Sequence, residues 1–262
     1  MNRFDLSGSP ATVRVISRDG AGPRPVVLWI HGGGYVIGAA AQDDARCVRM
    51  AQRLDATVVS VDYRLAPEHP FPAPLDDCFA AYELLQREPE LLGVDPSRVI
   101  IAGQSAGAGL AAALALRVHD ARRAPPKLQL LEYPMLDDRT VLRSDAENSH
   151  HRLWDVSSNR LGWNSYLGAL EPGGAAISDH AAAARRVDLR GLPPTWIGVG
   201  TLDLFHDENV DYAKRLQAAG VPTTLEVVEG AFHGFNAVLR NAPVSLRFFD
   251  SQMRAAERAF AG

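Results

Sequence analysis

Cysteine is scarce in this chain: Cys47 and Cys78 are the two in 262 residues. That is too few for a disulfide scaffold, and the pair has no Cys-x-x-Cys spacing, so a reduced, cytoplasmic protein is expected. Long apolar runs are missing as well. Nothing approaches membrane length, and the opening Met1-Asn2-Arg3-Phe4-Asp5 has no apolar core of a secretory signal. Charge of one sign is not in excess. A net charge of -4 and a pI near 6.1 give no reason to expect nucleic acid or an anionic membrane as partner. The eight histidines are scattered, with no His-Glu-x-x-His and no Cys/His cluster, so no metal site is expected. There is no internal repeat, and no low-complexity tract beyond alanine-rich helices.

What remains is an ordinary globular composition, 47% hydrophobic and 22% charged, long enough for a full core in one large domain or two small ones. Apolar runs alternate with helical patterns along the whole length. Residues 11–17 alternate as a strand, and Asp19 to Pro23 reads as a turn. Val26-Val27-Leu28-Trp29-Ile30 is a continuous apolar run, as in a strand covered on both faces. Further strands are expected at 57–61, at 99–102, at 128–133, at 195–200 and at 223–228. Helices are expected at 40–54, 75–87, 106–118, 206–219 and 243–260. Four prolines between Asp62 and Pro74 make a stiff irregular segment. Val94 to Ser97 reads as a turn, and Gly230 to Asn236 as a loop. From Asp137 to His180 the period breaks; this polar insertion, with a helix near 155–168, reads as a small cap on a single domain spanning 1–262. Strands and helices in alternation predict an α/β fold with a mostly parallel sheet.

The chemistry gathers where strands end. Val99 to Ala102 run into Gly103-Gln104-Ser105-Ala106-Gly107, and a helix follows at once. A strand, a sharp turn and a helix hold one serine side chain at a sheet edge, in a backbone conformation that needs glycine two positions either side. A serine hydroxyl needs a base, a group to orient that base, and donors for an oxyanion. His31-Gly32-Gly33-Gly34 follows a buried strand; its glycines suit close backbone approach, although a flexible linker would look the same. Asp203 follows the strand at 195–200 and is a candidate orienter, with a plain helix cap as the bland reading and Asp207 as competitor. His233 lies between Gly230 and Gly234 after the last strand, where a base can reach the serine. His206, His69, His150 and His151 are less suited, and His31 reads as a loop-fixing residue. In parallel sheets ligands bind beyond the carboxyl ends of the strands, and Ser105, Asp203, His233 and the glycine loop all fall there.

Four motifs together, His31-Gly32-Gly33-Gly34, Asp62-Tyr63-Arg64-Leu65-Ala66-Pro67-Glu68, Gly103-Gln104-Ser105-Ala106-Gly107 and Phe232-His233-Gly234-Phe235, resemble the bacterial hormone-sensitive-lipase-like carboxylesterases. The resemblance runs from about residue 12 onward. It implies an α/β-hydrolase fold with helices on both faces of the sheet and a reduced cap. It also implies Ser105 as nucleophile, His233 as base and Asp203 as its orienter, acting on short-chain acyl esters without cofactor or metal. The N–H groups of Gly33, Gly34 and Ala106 would form the oxyanion hole, and the segment from Tyr63 to Glu68 would brace the site. Tyr35, Trp154, Trp163, Leu204 and Phe232 are the expected pocket side chains. Two departures stand out. Gln104 occupies the position where the family usually has an acid. The family's helical N-terminal cap segment has no counterpart, so the cap is expected mainly from 137–180, leaving an open pocket that a partner subunit could complete. The resemblance also allows a homodimer through the last strand and its neighbouring helix. An arylformamidase-type amidase is the alternative within the fold. A non-catalytic receptor of the gibberellin-receptor kind is the alternative of another class, disfavoured because His233 is present.

Overall fold

A computed structural model describes residues 2–6, 8–17, 22–143 and 151–262. They carry one eight-stranded sheet: β1 (Asn2–Asp5), β2 (Thr12–Ile16), β3 (Arg24–Ile30), β4 (Thr57–Asp62), β5 (Val94–Gln104), β6 (Leu128–Glu132), β7 (Thr195–Gly200) and β8 (Thr223–Val228). The order across the sheet is β1-β2-β4-β3-β5-β6-β7-β8. β2 pairs antiparallel with both β1 and β4, and all other neighbours are parallel.

The continuous apolar runs have a simple cause. Successive side chains of a strand point to opposite faces, and both faces here are covered. Val26, Leu28 and Ile30 enter one core, where they meet residues of α2 (Ala73–Arg87), α4 (Ala106–Asp120) and α6 (His206–Ala218). Val27 and Trp29 enter the other, against α1 (Asp44–Leu54) and α8 (Pro243–Ala261). The two cores make three layers, helix, sheet and helix. Full burial of each such aliphatic side chain contributes about 1.5–3 kcal/mol. Helix α4 shows why its sequence is so plain. All but a few of its residues are buried, and alanine and glycine let its backbone lie close to the central strands. Pro74 and Pro243 sit in the first turns of α2 and α8, where a missing N–H costs nothing.

The fold differs from the sequence reading at a few points. The short edge strand β1 has no apolar signal and was not expected. Val94 to Ser97 belong to β5 rather than preceding it: Val94 pairs with Arg24, and the register then shifts before Val26 meets Val99. Asp95 accepts a hydrogen bond from the Ser97 N–H at 3.0 Å, so the turn chemistry is real but sits inside an irregular strand. The loop expected at 230–236 begins a short helix, α7 (Phe235–Val238). Part of the expected Asp19–Pro23 turn, residues 144–150 of the insertion, and with them His150, lie outside the described residues. Within the insertion, a helix labelled α5 spans Val156–Leu167, as the spacing predicts, and Asp155 caps it by accepting the Ser158 N–H at 2.8 Å. No described helix is long and apolar enough to cross a membrane.

Candidate active site

The Gly-x-Ser-x-Gly turn is built by close packing. Ser105 adopts φ 55° and ψ -124°, a region that side chains rarely enter. A Cβ on Gly103 would fall 2.5 Å from the Gly107 carbonyl oxygen, and one on Gly107 would fall 2.2 Å from the carbonyl oxygens of both Ile30 and His31. The two glycines thus let the end of β5, the start of α4 and the end of β3 touch. The turn is pinned on its other side: the Ser105 N–H donates to Glu132 O at 2.9 Å, and its carbonyl accepts from Met135 N at 3.1 Å.

Three residues far apart in the chain meet at this turn. Ser105 Oγ lies 2.9 Å from His233 Nε2, and His233 Nδ1 lies 2.8 Å from Asp203 Oδ2. With a neutral ring, both bonds are made when Nδ1 carries the proton and donates to Asp203, leaving Nε2 to accept the Ser105 O–H. The other Asp203 oxygen accepts the Phe205 N–H at 2.9 Å. The bland reading of Asp203 as a local backbone cap and its alignment with the histidine therefore hold together, one oxygen each. The loops after β7 and β8 are stitched so that this pair meets: Leu202 N donates to Ala231 O at 3.0 Å, and Gly230 N to Thr201 Oγ1 at 2.9 Å. Tyr133 and Phe205 pack edge-on against the imidazole. The competitors are engaged elsewhere, since His206 and Arg143 both pair with Asp207.

The glycine loop faces the same turn. Gly33 and Gly34 have φ of 132° and 59°. A Cβ on Gly33 would lie 1.9 Å from Ile37 O, and one on Gly34 would lie 2.1 Å from the Trp154 ring. His31 is fully buried and stacks on Tyr63 with ring centroids 4.2 Å apart. Its Nδ1 bonds Gly32 O at 2.8 Å, and the Tyr63 hydroxyl donates to His31 O at 2.9 Å. Burial lowers the pKa of His31, which keeps it neutral and structural. Among the described residues, the N–H groups of Gly33, Gly34 and Ala106 have no hydrogen-bond acceptor.

Comparison with known proteins agrees with the fold. A family model described as alpha/beta hydrolase fold matches residues 27–237. The chain belongs to that family. It is 38% identical over 211 residues to esterase LipI of Mycobacterium tuberculosis, covering 80% of this chain and 65% of the relative. It is 39% identical over 218 residues to carboxylesterase NlhH of the same species, covering 80% and 66%. The chain thus spans about two thirds of the length of these curated relatives. Among solved structures, a bacterial heroin esterase superposes with a TM-score of 0.91 at 40% identity, covering 99% of this chain and 84% of that one. Esterase LipW of Mycobacterium marinum gives 0.88 at 38% identity, covering 100% and 82%. These relatives carry the class named by the four sequence motifs.

The expected pocket side chains of this α/β-hydrolase do not form one lining, although the rings of Tyr35 and Trp163 meet at 5.6 Å. Trp154 lies over the glycine loop, with its ring 6.4 Å from that of His233. Leu204 is buried next to Asp203. Tyr35 and Trp163 are 1% and 0% exposed, so they have no surface to offer a ligand. Tyr35 instead stacks on Tyr166 with centroids 4.0 Å apart and donates to Met135 O at 3.1 Å, bracing the loop from below. Phe232 packs with the α1 and α8 core instead.

Sequence reasoning missed a buried polar layer behind Ser105. Gln104 Nε2 donates to both Asp43 oxygens at 3.0 Å, and Asp43 also accepts from Trp29 Nε1 at 2.8 Å. The Tyr133 hydroxyl donates to Asn236 Oδ1 at 2.8 Å, Asn236 Nδ2 donates to Glu132 at 2.9 Å, and Glu132 pairs with Arg46. The one signal for this layer is Glu132 itself, the single charge in a buried strand. Among the described residues no group of three His, Cys, Asp or Glu could hold a metal ion.

Proposed function

We propose that this chain is a serine carboxylesterase acting on short-chain acyl esters. The observation that carries the reading is the continuous hydrogen-bonded line from Ser105 Oγ through His233 to Asp203. In it, His233 Nε2 takes the Ser105 proton as Oγ attacks the ester carbonyl, and the imidazolium is held by Asp203. The oxyanion is received by the free N–H groups of Gly33, Gly34 and Ala106, at the start of α4, whose helix dipole adds to the attraction. The alcohol leaves with the proton from His233. Water then attacks the acyl-Ser105 ester by the same route, releasing the carboxylic acid. The residues from 137 to 180 act as a cap, with Trp154 as its contact with the oxyanion loop.

The experiment is hydrolysis of p-nitrophenyl esters with acyl chains of two to twelve carbons. The reading expects an optimum at short chains and loss of turnover in Ser105→Ala. Stoichiometric labelling of Ser105 by an organophosphate accompanies it. Wild-type turnover in Ser105→Ala would overturn the mechanism, and faster cleavage of a matched formamide would make the chain an amidase.

A further inference from the structure

A hollow of about 90 Å³ opens beside the Ser105 turn, on the α1 and α8 side. Buried Gln104, Asn236 and Ser245 and half-buried Arg46 line it within; exposed Arg49 and Arg240 line it at the surface. A water's share of the liquid is about 30 Å³, so there is room for about three water-sized groups.

Its chemistry is that of an anion receptor. Three guanidinium groups line it against one carboxylate, that of Asp43. Asp43 is already engaged by Gln104 and Trp29. Arg46 is paired with Glu132, but Arg49 stacks on Phe249 and Arg240 bonds the Ala237 carbonyl, and among the described residues neither has a carboxylate partner. The buried groups here also leave hydrogen-bonding capacity unused. On the lining, Arg46 Nε and Ser245 Oγ have no partner. The first is a donor only and the second can donate, so they call for an acceptor. Gln104 fits the same logic. An acid there would set a second negative charge against Asp43, whereas the amide donates to Asp43 and leaves the hollow net positive.

We propose that this hollow binds a small carboxylate monoanion of the size of acetate or propionate. The fork of a guanidinium matches a carboxylate in two parallel hydrogen bonds, and Asp43 on the wall disfavours a dianion. The site is separate from the Ser105 line and does not depend on its role.

Isothermal titration with sodium acetate and sodium propionate, at ionic strength fixed with chloride, tests this. Wild type and Ser105→Ala are each expected to show one saturable site of equal affinity. Arg49→Glu/Arg240→Glu, with both changes at the surface, is expected to bind roughly tenfold more weakly or worse, because two attractions become repulsions. Ser245→Ala, which breaks no bond in the ligand-free protein, is expected to weaken binding several-fold. The proposal is overturned if no saturation is seen, which would make the hollow a water pocket. It is overturned equally if the double variant binds as wild type, if Ser105→Ala abolishes binding, or if phosphate binds more tightly than acetate.

Discussion

Gly107→Ala puts the close packing behind the serine turn to a direct test. The added Cβ would start 2.2 Å from the carbonyl oxygens of Ile30 and His31. Ordinary contact begins at 3.4 Å, so the start of α4 and the end of β3 must part by about 1.2 Å. Neither oxygen belongs to a flexible side chain, and β3 is held on both sides by parallel neighbours. Overpacking of this kind costs about 1–3 kcal/mol. The kinetic cost is expected to be larger in proportion, because β3 leads into Gly33 and Gly34 while α4 carries Ala106. The separation therefore pulls the proposed oxyanion donors apart, and a misplacement of ~1 Å is worth about 10²-fold in rate. The assay pairs kcat/KM on p-nitrophenyl acetate with denaturant unfolding and with the rate of organophosphate labelling. Gly220→Ala is the control. Its φ of 80° is unfavourable for alanine, a strain that helical Gly107 does not carry, but nothing lies within 4 Å of the new Cβ, so it should cost about 1–2 kcal/mol from the backbone alone and leave kcat/KM unchanged. A Gly107→Ala protein with wild-type stability and wild-type labelling would refute the steric account of the turn.

Asp203→Asn keeps an oxygen for the Phe205 N–H but removes the charge that orients Nδ1–H; kcat is expected to fall by about 10⁴, with the unfolding midpoint near wild type. Glu208 is buried, and burial raises its pKa well above the ordinary glutamate value even though Leu136, Asp137 and Thr140 all donate to it. A raised folded pKa means that the native state holds the proton more tightly, so this group's contribution is complete below the ordinary value and is lost as pH rises through the folded one. Glu208→Gln should therefore gain on wild type in urea unfolding as pH goes from 5 to 8; a constant difference would contradict the assignment. Asp138 is fully buried between Arg185, at 2.6 Å, and the Gly173 N–H, also at 2.6 Å, tying the insertion to itself. Arg185→Met leaves that carboxylate without its cation and should cost about 3–5 kcal/mol, read as a shift in the denaturant midpoint.

Most of the parallel sheet could be read from the sequence because burial on both faces writes itself as unbroken apolar runs, as in Val26 to Ile30. The positions of Ser105, Asp203 and His233 were legible for a topological reason: each lies in the turn or loop that follows an expected strand, and parallel strands end at one edge. The pocket was not legible. Tyr35 and Trp163 are aromatic and near the right loops, but only packing decides that one face of Tyr35 meets Tyr166 and leaves nothing for a ligand. Phe232 and His233 are adjacent in the loop after β8, yet Phe232 packs into the α1 and α8 core while the His233 ring meets Ser105. The polar layer of Asp43, Gln104, Glu132, Tyr133 and Asn236 comes from four separate segments, and no local pattern announces partners that meet only in the folded chain.

The base and the nucleophile hang from parts of the sheet that differ in security. Ser105 follows β5, which is flanked on both sides, whereas His233 follows β8, the outermost strand, paired only with β7 and half-exposed along its length. Thermal fraying of a sheet begins at its margins. Warming should therefore detach the proton acceptor while the serine turn is still intact. Activity is then a gauge of the margin rather than of the whole molecule, and it should fade at temperatures where the circular dichroism of the fold has scarcely changed.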